Sequence, residues 1–234
     1  MDTRTRHALK KDKFAQAAAS SASWIGEHQS SVVRWLITAG VILVLGVGAL
    51  VYWILRSSAA DTALGAALDV YTSPLALPGA PPEQGVYAAA ADRAKEANRE
   101  FVAVAQNFGW LPEGSKAHYF AGVTYVELGQ NGAAEAQLTA ASHSWDHNLS
   151  NLAKVALASL YHQTSRDNEA IALYNQIVAK PSVTVSAAVA QLDLADLYAA
   201  EGKQDQARAL WAKVRDADKD GVAGQIAAQK LTGK

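Results

Sequence analysis

The acidic segment at residues 216–221 comes closest, of any stretch in the chain, to a metal-binding motif. Its sequence, Asp-Ala-Asp-Lys-Asp-Gly, matches the first half of a calcium loop, in which alternate carboxylates and a glycine turn surround the ion. Such a loop needs a bidentate carboxylate at its twelfth position, which here is Ala227. We therefore interpret the segment as an acidic turn in which Asp218 or Asp220 caps the following helix.

A second metal candidate is the pair His143 and His147, which flank Trp145 and Asp146. Histidines four residues apart on one helix can share a zinc ion, but a zinc site needs at least a third protein ligand. No third ligand is evident, and the segment falls between two expected helices. We therefore predict a solvent-exposed loop here, and we expect no metal or other cofactor.

The motifs of the common enzyme classes do not stand out in this sequence. We find no Ser-His-Asp order, no P-loop and no dinucleotide-binding glycine motif. The closely spaced Gly46 and Gly48 lie inside a long apolar segment. The sequence therefore favours a binding or structural role over an enzymatic one.

Charge and cysteine content narrow the classes of partner. Residues 57–234 contain 14 Lys and Arg against 19 Asp and Glu. Nucleic-acid-binding domains need a basic surface, so we expect no nucleic acid as a partner. The chain has no cysteine, which excludes disulfides, thiolate metal sites and an acylated lipoprotein cysteine.

Residues 35–55 form one uncharged apolar run between Arg34 and Arg56. A helix of that length reaches roughly 31 Å, about the thickness of a bilayer's hydrocarbon core. Aromatic residues, which favour the membrane interface, stand near both ends. We predict a transmembrane helix at 35–55. The alternative is a signal peptide cleaved near Ser58-Ala59-Ala60, but the run is longer than such segments and follows a long tail.

The distribution of basic residues predicts the orientation of the span. Six lysines and arginines precede it, whereas none follows Arg56 until Arg93. The positive-inside rule then makes residues 1–34 a cytoplasmic basic tail and places residues 57–234 outside the cytoplasm. The basic stretch 4–13 sets this topology or binds anionic lipids, and 14–31 is a candidate interfacial helix.

A repeat of 36 or 37 residues organises the chain beyond the span. An alanine recurs at Ala97, Ala134, Ala170 and Ala207, and four residues after each come Phe101, Leu138, Tyr174 and Trp211. The last three copies share a tyrosine, a small residue three positions before it and a turn residue four positions after it: Tyr125, Tyr161 and Tyr198; Gly122, Ala158 and Ala195; Gly129, Ser165 and Gly202. This pattern resembles the tetratricopeptide (TPR) repeat of paired helices.

We therefore predict an all-α protein: a single N-terminal transmembrane helix followed by a TPR-like α-solenoid of about four helix pairs and a C-terminal capping helix, the solenoid occupying residues 57–234. The helix of the span should continue through 57–72, with Leu64, Leu68 and Tyr71 on one face, before a proline-rich loop at 73–84. The remaining predicted segments are a helix at 85–107, repeats at 115–142, 150–179 and 184–214, and a cap at about 221–232, which covers the last apolar edge.

A glycine-rich single span (GVILVLGVGALVYWI) followed by TPR-like pairs is similar to the bacterial ancillary SecYEG translocon subunit family. This resemblance implies a single-pass protein of the bacterial inner membrane with a periplasmic TPR-like domain. It also implies a role that links secreted chains leaving the translocon to periplasmic chaperones.

In TPR arrays the first helix of each pair lines a concave groove. The candidate groove residues are Lys116, Tyr119, Val123, Val126, Leu152, Val155, Ser159, His162, Val189, Leu192, Asp196 and Ala199. This mainly apolar face either receives an apolar segment of another protein or is filled by the capping helix or a second copy, since a bare apolar groove is costly.

Two functions follow as expectations. The first is a membrane-anchored periplasmic adaptor or chaperone-like protein that contacts translocon subunits, secreted chains or periplasmic chaperones. The second is a structural scaffold that oligomerises within an envelope complex without binding clients. Crosslinking should separate them, because only the adaptor contacts unfolded secretory chains.

Overall fold

The computed structural model describes residues 29–77 and 85–233, and within these ranges the protein is all-α. The described helices are α1 (Gln29–Thr72), α2 (Ala90–Phe108), α3 (Pro112–Glu127), α4 (Asn131–Ser142), α5 (His147–Gln163), α6 (Asp167–Ala179), α7 (Ala187–Ala200), α8 (Gln204–Ala217) and α9 (Val222–Thr232). Residues 1–28 of the predicted tail and residues 78–84 of the predicted proline-rich loop lie outside the described residues.

Helix α1 is long and apolar enough to cross a membrane. Its candidate span covers Val33–Thr72, with a mean hydropathy of 2.3 in the most apolar window. Every side chain of the predicted segment 35–55 is exposed, so these apolar residues have no protein core to enter. The chain divides into two compact units after Leu55.

The helical domain begins at Arg56 and includes the last part of α1. Buried residues of α1 and α2 that share one cluster are Ala60, Leu64, Ala67, Ala97 and Phe101. Leu68 and Tyr71 pack against the same cluster, and the Tyr71 and Phe101 ring centroids lie 6.0 Å apart in an edge-on arrangement. The predicted helix at 57–72 and its apolar face are therefore confirmed.

Helix α2 begins later than predicted. It starts at Ala90 and not at residue 85, because the preceding segment pairs with the chain that follows α1. The N–H of Tyr87 donates to the Pro74 carbonyl at 3.1 Å, and the N–H of Ala76 donates to the Tyr87 carbonyl at 2.9 Å. These bonds hold the backbone around Tyr87 in an extended form that a helix cannot adopt.

Helices α3–α4, α5–α6 and α7–α8 are joined by three-residue turns of one design. The central residues Gly129, Ser165 and Gly202 have positive φ angles of 69°, 58° and 78°. In each turn the next N–H donates to the carbonyl of the repeat tyrosine five residues back, as from Arg166 to Tyr161 at 2.7 Å. This is the Schellman motif, in which a left-handed residue ends a helix and its terminal carbonyls are satisfied.

The repeated small residues lie where the paired helices touch. Ala134, Ala170 and Ala207 are fully buried, as predicted. Ala158 and Ala195 are also fully buried, and Gly122 packs directly on Leu138. The large residues four positions after the alanines, namely Phe101, Leu138, Tyr174 and Trp211, are all buried as well. Small residues on both helices therefore allow the close approach, and the large ones fill the space beside it.

Helix α9 closes the far end of the domain. Ala223 and Ala227 of α9 are buried in one cluster with Trp211 and Val214 of α8. Gly224 comes so close to the end of α8 that a side chain there would collide with the Asp218 carbonyl. A helix is therefore present at Val222–Thr232, close to the predicted segment 221–232.

The start of α3 shows the same close approach to the preceding helix. A side chain at Gly114 would collide with the carbonyl of Phe108, the last residue of α2. Positions 114, 150, 187 and 224 are separated by 36, 37 and 37 residues and so share the repeat register. At position 150 the start of α5 is joined to the end of α4 by a hydrogen bond, which the Ser150 hydroxyl donates to the Ser142 carbonyl at 2.6 Å.

Candidate functional site

The twelve candidate groove residues do not form a single open surface. Four are exposed: Lys116, Ser159, His162 and Val189. Seven are half-buried: Tyr119, Val123, Val126, Leu152, Val155, Asp196 and Ala199. Leu192 is buried in the cluster that includes Trp211 and Ala223, so the α9 end of the face is filled by the protein itself.

Packing between successive pairs accounts for much of the half-buried part. Tyr119 and Val126 of α3 pack on a cluster that contains Leu157 and Leu160 of α5. Leu152 of α5 packs in turn on the cluster formed largely by α6 and α7. These side chains therefore join one helix pair to the next and leave only their outer atoms for a partner.

One cleft combines three of the predicted groove residues. Ser159, His162 and Asp196 line a space of about 220 Å³. Three residues that were not predicted as groove residues complete its wall: Tyr174, Asp193 and Leu197. Because α5 and α7 supply opposite sides of the cleft, its shape depends on the packing of two consecutive pairs. We refer to these six residues as the α5–α7 cleft.

Asp196 is committed to contacts within the protein. Its Oδ1 accepts a hydrogen bond from Trp211 Nε1 at 3.0 Å, and its Oδ2 lies 2.6 Å from the ammonium nitrogen of Lys230. These contacts tie α7 to α8 and α9. The Asp196 carboxylate is therefore a structural group at the edge of the cleft.

Asp193 differs from Asp196 because its carboxylate has no hydrogen-bond or ion-pair partner among residues 29–77 and 85–233. Burial raises the pKa of Asp193, and the neighbouring Asp196 raises it further, whereas Lys230 opposes the effect. Burial, Asp193 and Asp196 also raise the pKa of the Tyr174 hydroxyl. The cleft thus holds a half-buried carboxylate that water solvates only partly and no cation neutralises directly.

The cleft is suited to a cationic side chain. Leu197 and the ring of Tyr174 offer apolar contact to an aliphatic stem, and the Asp193 carboxylate can accept a charge-assisted hydrogen bond from its head group. A lysine or arginine has both parts. The arrangement can therefore recognise a basic residue in a segment of another protein.

The serine and histidine of the cleft do not bond to each other. His162 Nδ1 lies 2.7 Å from Asp167 Oδ1, while the Ser159 hydroxyl accepts a hydrogen bond from Gln163 Nε2 at 3.3 Å. The His162–Asp167 pair was not identified from the sequence. It joins the end of α5 to the start of α6 across their turn.

The two histidines considered as zinc ligands lie at the ends of different helices: His143 directly follows α4, and His147 begins α5. His143 Nδ1 lies 2.8 Å from the Thr139 carbonyl, and His147 Nε2 lies 3.0 Å from the Lys180 carbonyl, so the two histidines contact different parts of the chain. In the described ranges, no three His, Asp or Glu side chains come together in a way that could hold a metal ion.

The acidic turn before α9 contributes one side-chain hydrogen bond to the start of that helix. Asp218 Oδ2 accepts the N–H of Gly224 at 3.2 Å, which satisfies a donor in the first turn of α9. The carboxylate of Asp216 instead pairs with Arg215 at 2.8 Å. The N-cap of α9 is Gly221, so the prediction that Asp218 or Asp220 occupies that position is wrong. Asp218 nevertheless accepts an N–H of the first turn from three residues before the cap.

Asp193 could have been identified in the sequence, because it is one of two charged residues in a mainly apolar helix (AAVAQLDLADLYAA). A charge at a half-buried position is costly unless it is paired or has a use. Its relation to α5 is not visible in the sequence, however.

No protein-family model and no curated protein matches this chain.

Proposed function

We propose that this protein is a membrane-anchored, non-enzymatic adaptor whose TPR-like domain holds segments of other proteins near the Sec translocon. Helix α1 would anchor it as a single span of a bacterial inner membrane, with the helical domain on the periplasmic side. The length and exposure of the apolar segment support the anchor. The excess of basic residues before the span supports the orientation.

The assignment of a TPR-like solenoid is supported by features that recur at the repeat period. Three helix pairs share the same left-handed turn and the same tyrosine carbonyl acceptor. Each pair touches through a buried alanine, and α3 also contacts α5 while α7 contacts α9. Contacts between the first helices of consecutive pairs are what a stack of such pairs requires.

The observation that carries the binding function is the unpartnered Asp193 carboxylate in the α5–α7 cleft. A partner segment with a lysine or arginine next to small apolar residues would supply the missing cation and cover Leu197 and Tyr174. A hydrogen bond to a charged group contributes about 1.5–3 kcal/mol, which is at least about tenfold in affinity. Unfolded secretory chains offer such segments, and their exit from the translocon is the setting that the family resemblance suggests.

The test is site-specific photo-crosslinking in cells with the full chain. A crosslinker placed at Ser159 should capture secretory chains and translocon subunits, whereas one at exposed Ala136 on α4 should not. Asp193→Asn should reduce the Ser159 products about tenfold, because it removes one charged hydrogen bond. The matched control is Asp205→Asn, which changes an exposed carboxylate at the start of α8 and should leave the Ser159 products unchanged.

Three outcomes would count against the adaptor. Products that contain only this protein would favour the oligomeric scaffold. Equal products from positions 159 and 136 would mean that the cleft is not the binding site. Protection of the helical domain from a protease added to intact spheroplasts would reverse the orientation and remove it from the translocon exit.

A further inference from the structure

Several large apolar side chains are exposed in the loops that connect one helix pair to the next. Trp145, between α4 and α5, is 88% exposed, and Val183, between α6 and α7, is 96% exposed. Trp110, between α2 and α3, is also exposed. The three-residue turns at 128–130, 164–166 and 201–203 hold no exposed large apolar side chain. Exposed apolar residues therefore mark the inter-pair loops and not these turns.

These loops form one continuous edge of the helical domain, which we define as residues 107–112, 143–148 and 180–185. Trp145 and Pro112 line a common cavity of about 350 Å³, which joins the first loop to the second. The second and third loops are joined by a bond from the Val183 N–H to Asn148 Oδ1 at 3.2 Å. Thr184 adds a bond from its hydroxyl to the Asn148 carbonyl at 3.0 Å.

Arg56 belongs to the same edge. Its Nη2 donates to the Asn107 carbonyl at 3.0 Å, and its guanidinium lies 4.7 Å from the centroid of the Phe108 ring. In the sequence, Arg56 directly follows Leu55, the last residue of the apolar segment. Along the sequence, Arg56 therefore follows the apolar segment with no linker residue between them.

We propose that this edge docks on the surface of the bilayer that carries the span, with Trp145 and Val183 inserted at the level of the lipid headgroups. The proposal rests on the membrane anchor of the proposed function. Tryptophan favours that level of a bilayer, and exposed apolar side chains gain by leaving water. The short link from Arg56 gives the edge a high effective concentration at the membrane, so weak contacts suffice.

The charges of the edge are compatible with this position. The Asp146 carboxylate accepts the N–H groups of Asn148 and Leu149, so its charge already has partners in the start of α5. Lys180 is exposed and can approach an anionic headgroup. The loop before α9 is excluded from the docking edge because residues 216–220 carry three aspartates and one lysine, whereas the edge carries one aspartate and one lysine, so anionic lipid would repel this loop more strongly.

The experiment uses the full chain reconstituted in vesicles of phosphatidylethanolamine and phosphatidylglycerol. Because the chain lacks cysteine, one fluorophore can be attached at Val183→Cys or at the control site Gln130→Cys, which is exposed in the α3–α4 turn. Shallow spin-labelled lipids should quench the label at 183 and should leave the label at 130 at the level seen with unlabelled lipids.

A second variant tests the role of the tryptophan. Trp145→Ser should reduce the quenching at 183 without changing the melting temperature, because the side chain is almost fully exposed. The matched control, Leu77→Ser, removes an apolar side chain that is 77% exposed but lies outside the edge, and it should leave the quenching unchanged.

The outcomes separate this proposal from the anchor on which it rests. A chain that floats with the vesicles but shows no quenching at 183 overturns the docking and leaves the anchor intact. Equal quenching at 183 and 130 overturns the assignment of one specific edge, and unchanged quenching in Trp145→Ser overturns the role of that residue. A chain that does not float overturns the anchor itself.

Discussion

Gly122 of α3 lies against Leu138 of α4 so closely that a Cβ atom at position 122 would be 2.5 Å from the Leu138 Cγ and 3.2 Å from its backbone nitrogen. Leu138 is fully buried in a cluster with Leu157 and Leu160 of α5. The other two pairs hold alanine at the corresponding positions, Ala158 and Ala195. The contact between α3 and α4 therefore leaves less room for a side chain than the equivalent contacts in the other two pairs.

Gly122→Ala should destabilise the helical domain by roughly 1–3 kcal/mol, because the added methyl group overpacks a filled contact. Thermal unfolding followed by circular dichroism measures this loss. The control is Gly132→Ala in α4, where an added Cβ meets no atom within 4 Å. There the better helix propensity of alanine should stabilise by up to about 1 kcal/mol, so the two identical substitutions should have opposite signs.

Ser165→Gly should stabilise the protein, because Ser165 is the only non-glycine residue with positive φ in the described ranges. Relief of the left-handed conformation is worth up to about 1 kcal/mol after the greater freedom of glycine in the unfolded chain is subtracted. Gly129→Ala and Gly202→Ala should each destabilise by about 1 kcal/mol, since only the backbone conformation opposes them. Urea denaturation measures the free energy of unfolding of each variant. A protein that is less stable with glycine at one of these positions than with the larger residue would contradict the turn geometry.

Ala170→Leu should cost roughly 1–3 kcal/mol, since Ala170 is fully buried between α5 and α6 and a leucine would overpack the contact. Ala172→Leu, on the exposed face of the same helix, is the control and should change stability little. The difference in melting temperature between the two variants measures the effect. Equal melting temperatures would mean that the repeated alanines do not mark the contacts.

The contribution of Asp193 to the stability should fall as the pH rises above the ordinary aspartate range, because its raised pKa makes the folded state hold a proton that the unfolded chain releases earlier. The fall begins near the unfolded pKa of about 3.9 and is complete once the pH exceeds the folded pKa. Asp193→Asn should remove this contribution. It should melt higher than the natural protein at neutral pH and similarly at acid pH.

The control for this pH profile is Asp205→Asn, which changes an exposed carboxylate. Loss of a negative charge in the first turn of α8 should lower the melting temperature of this variant slightly at neutral pH, which is opposite in sign to the change expected for Asp193→Asn. If Asp193→Asn melts like the natural protein at every pH, Asp193 is solvated and the cleft does not contain the half-buried carboxylate that the binding proposal needs.

The helix pairs could be predicted from the sequence because their determinants are local and repeated. A small residue, a tyrosine, a left-handed turn and an alanine recur at a nearly fixed spacing, and each has the same role in every pair. Even Ser165 was predicted at a turn position by its place in the repeat. The single apolar helix was predicted by its length and composition alone.

The features that were missed depend on contacts between distant segments. The start of α2 depends on the pairing of Tyr87 with the chain after α1, which no local pattern indicates. Leu192 has the groove spacing but is covered because α9 packs there. Asp193 lies outside the chosen groove positions, and it becomes part of a cleft only because α5 faces α7.

Helix α9 enters the domain in the register of a further first helix. Its Gly224 approaches the end of α8 as Gly114 approaches the end of α2, and positions 114, 150, 187 and 224 keep the repeat spacing. The first turn of α9 therefore makes the same small-residue contact with the preceding helix as the first turn of α3. A helix pair duplicated between α8 and α9 would offer α9 a copy of the α8 end on which Gly224 already packs, so a change in the number of pairs need not alter the residues of α9.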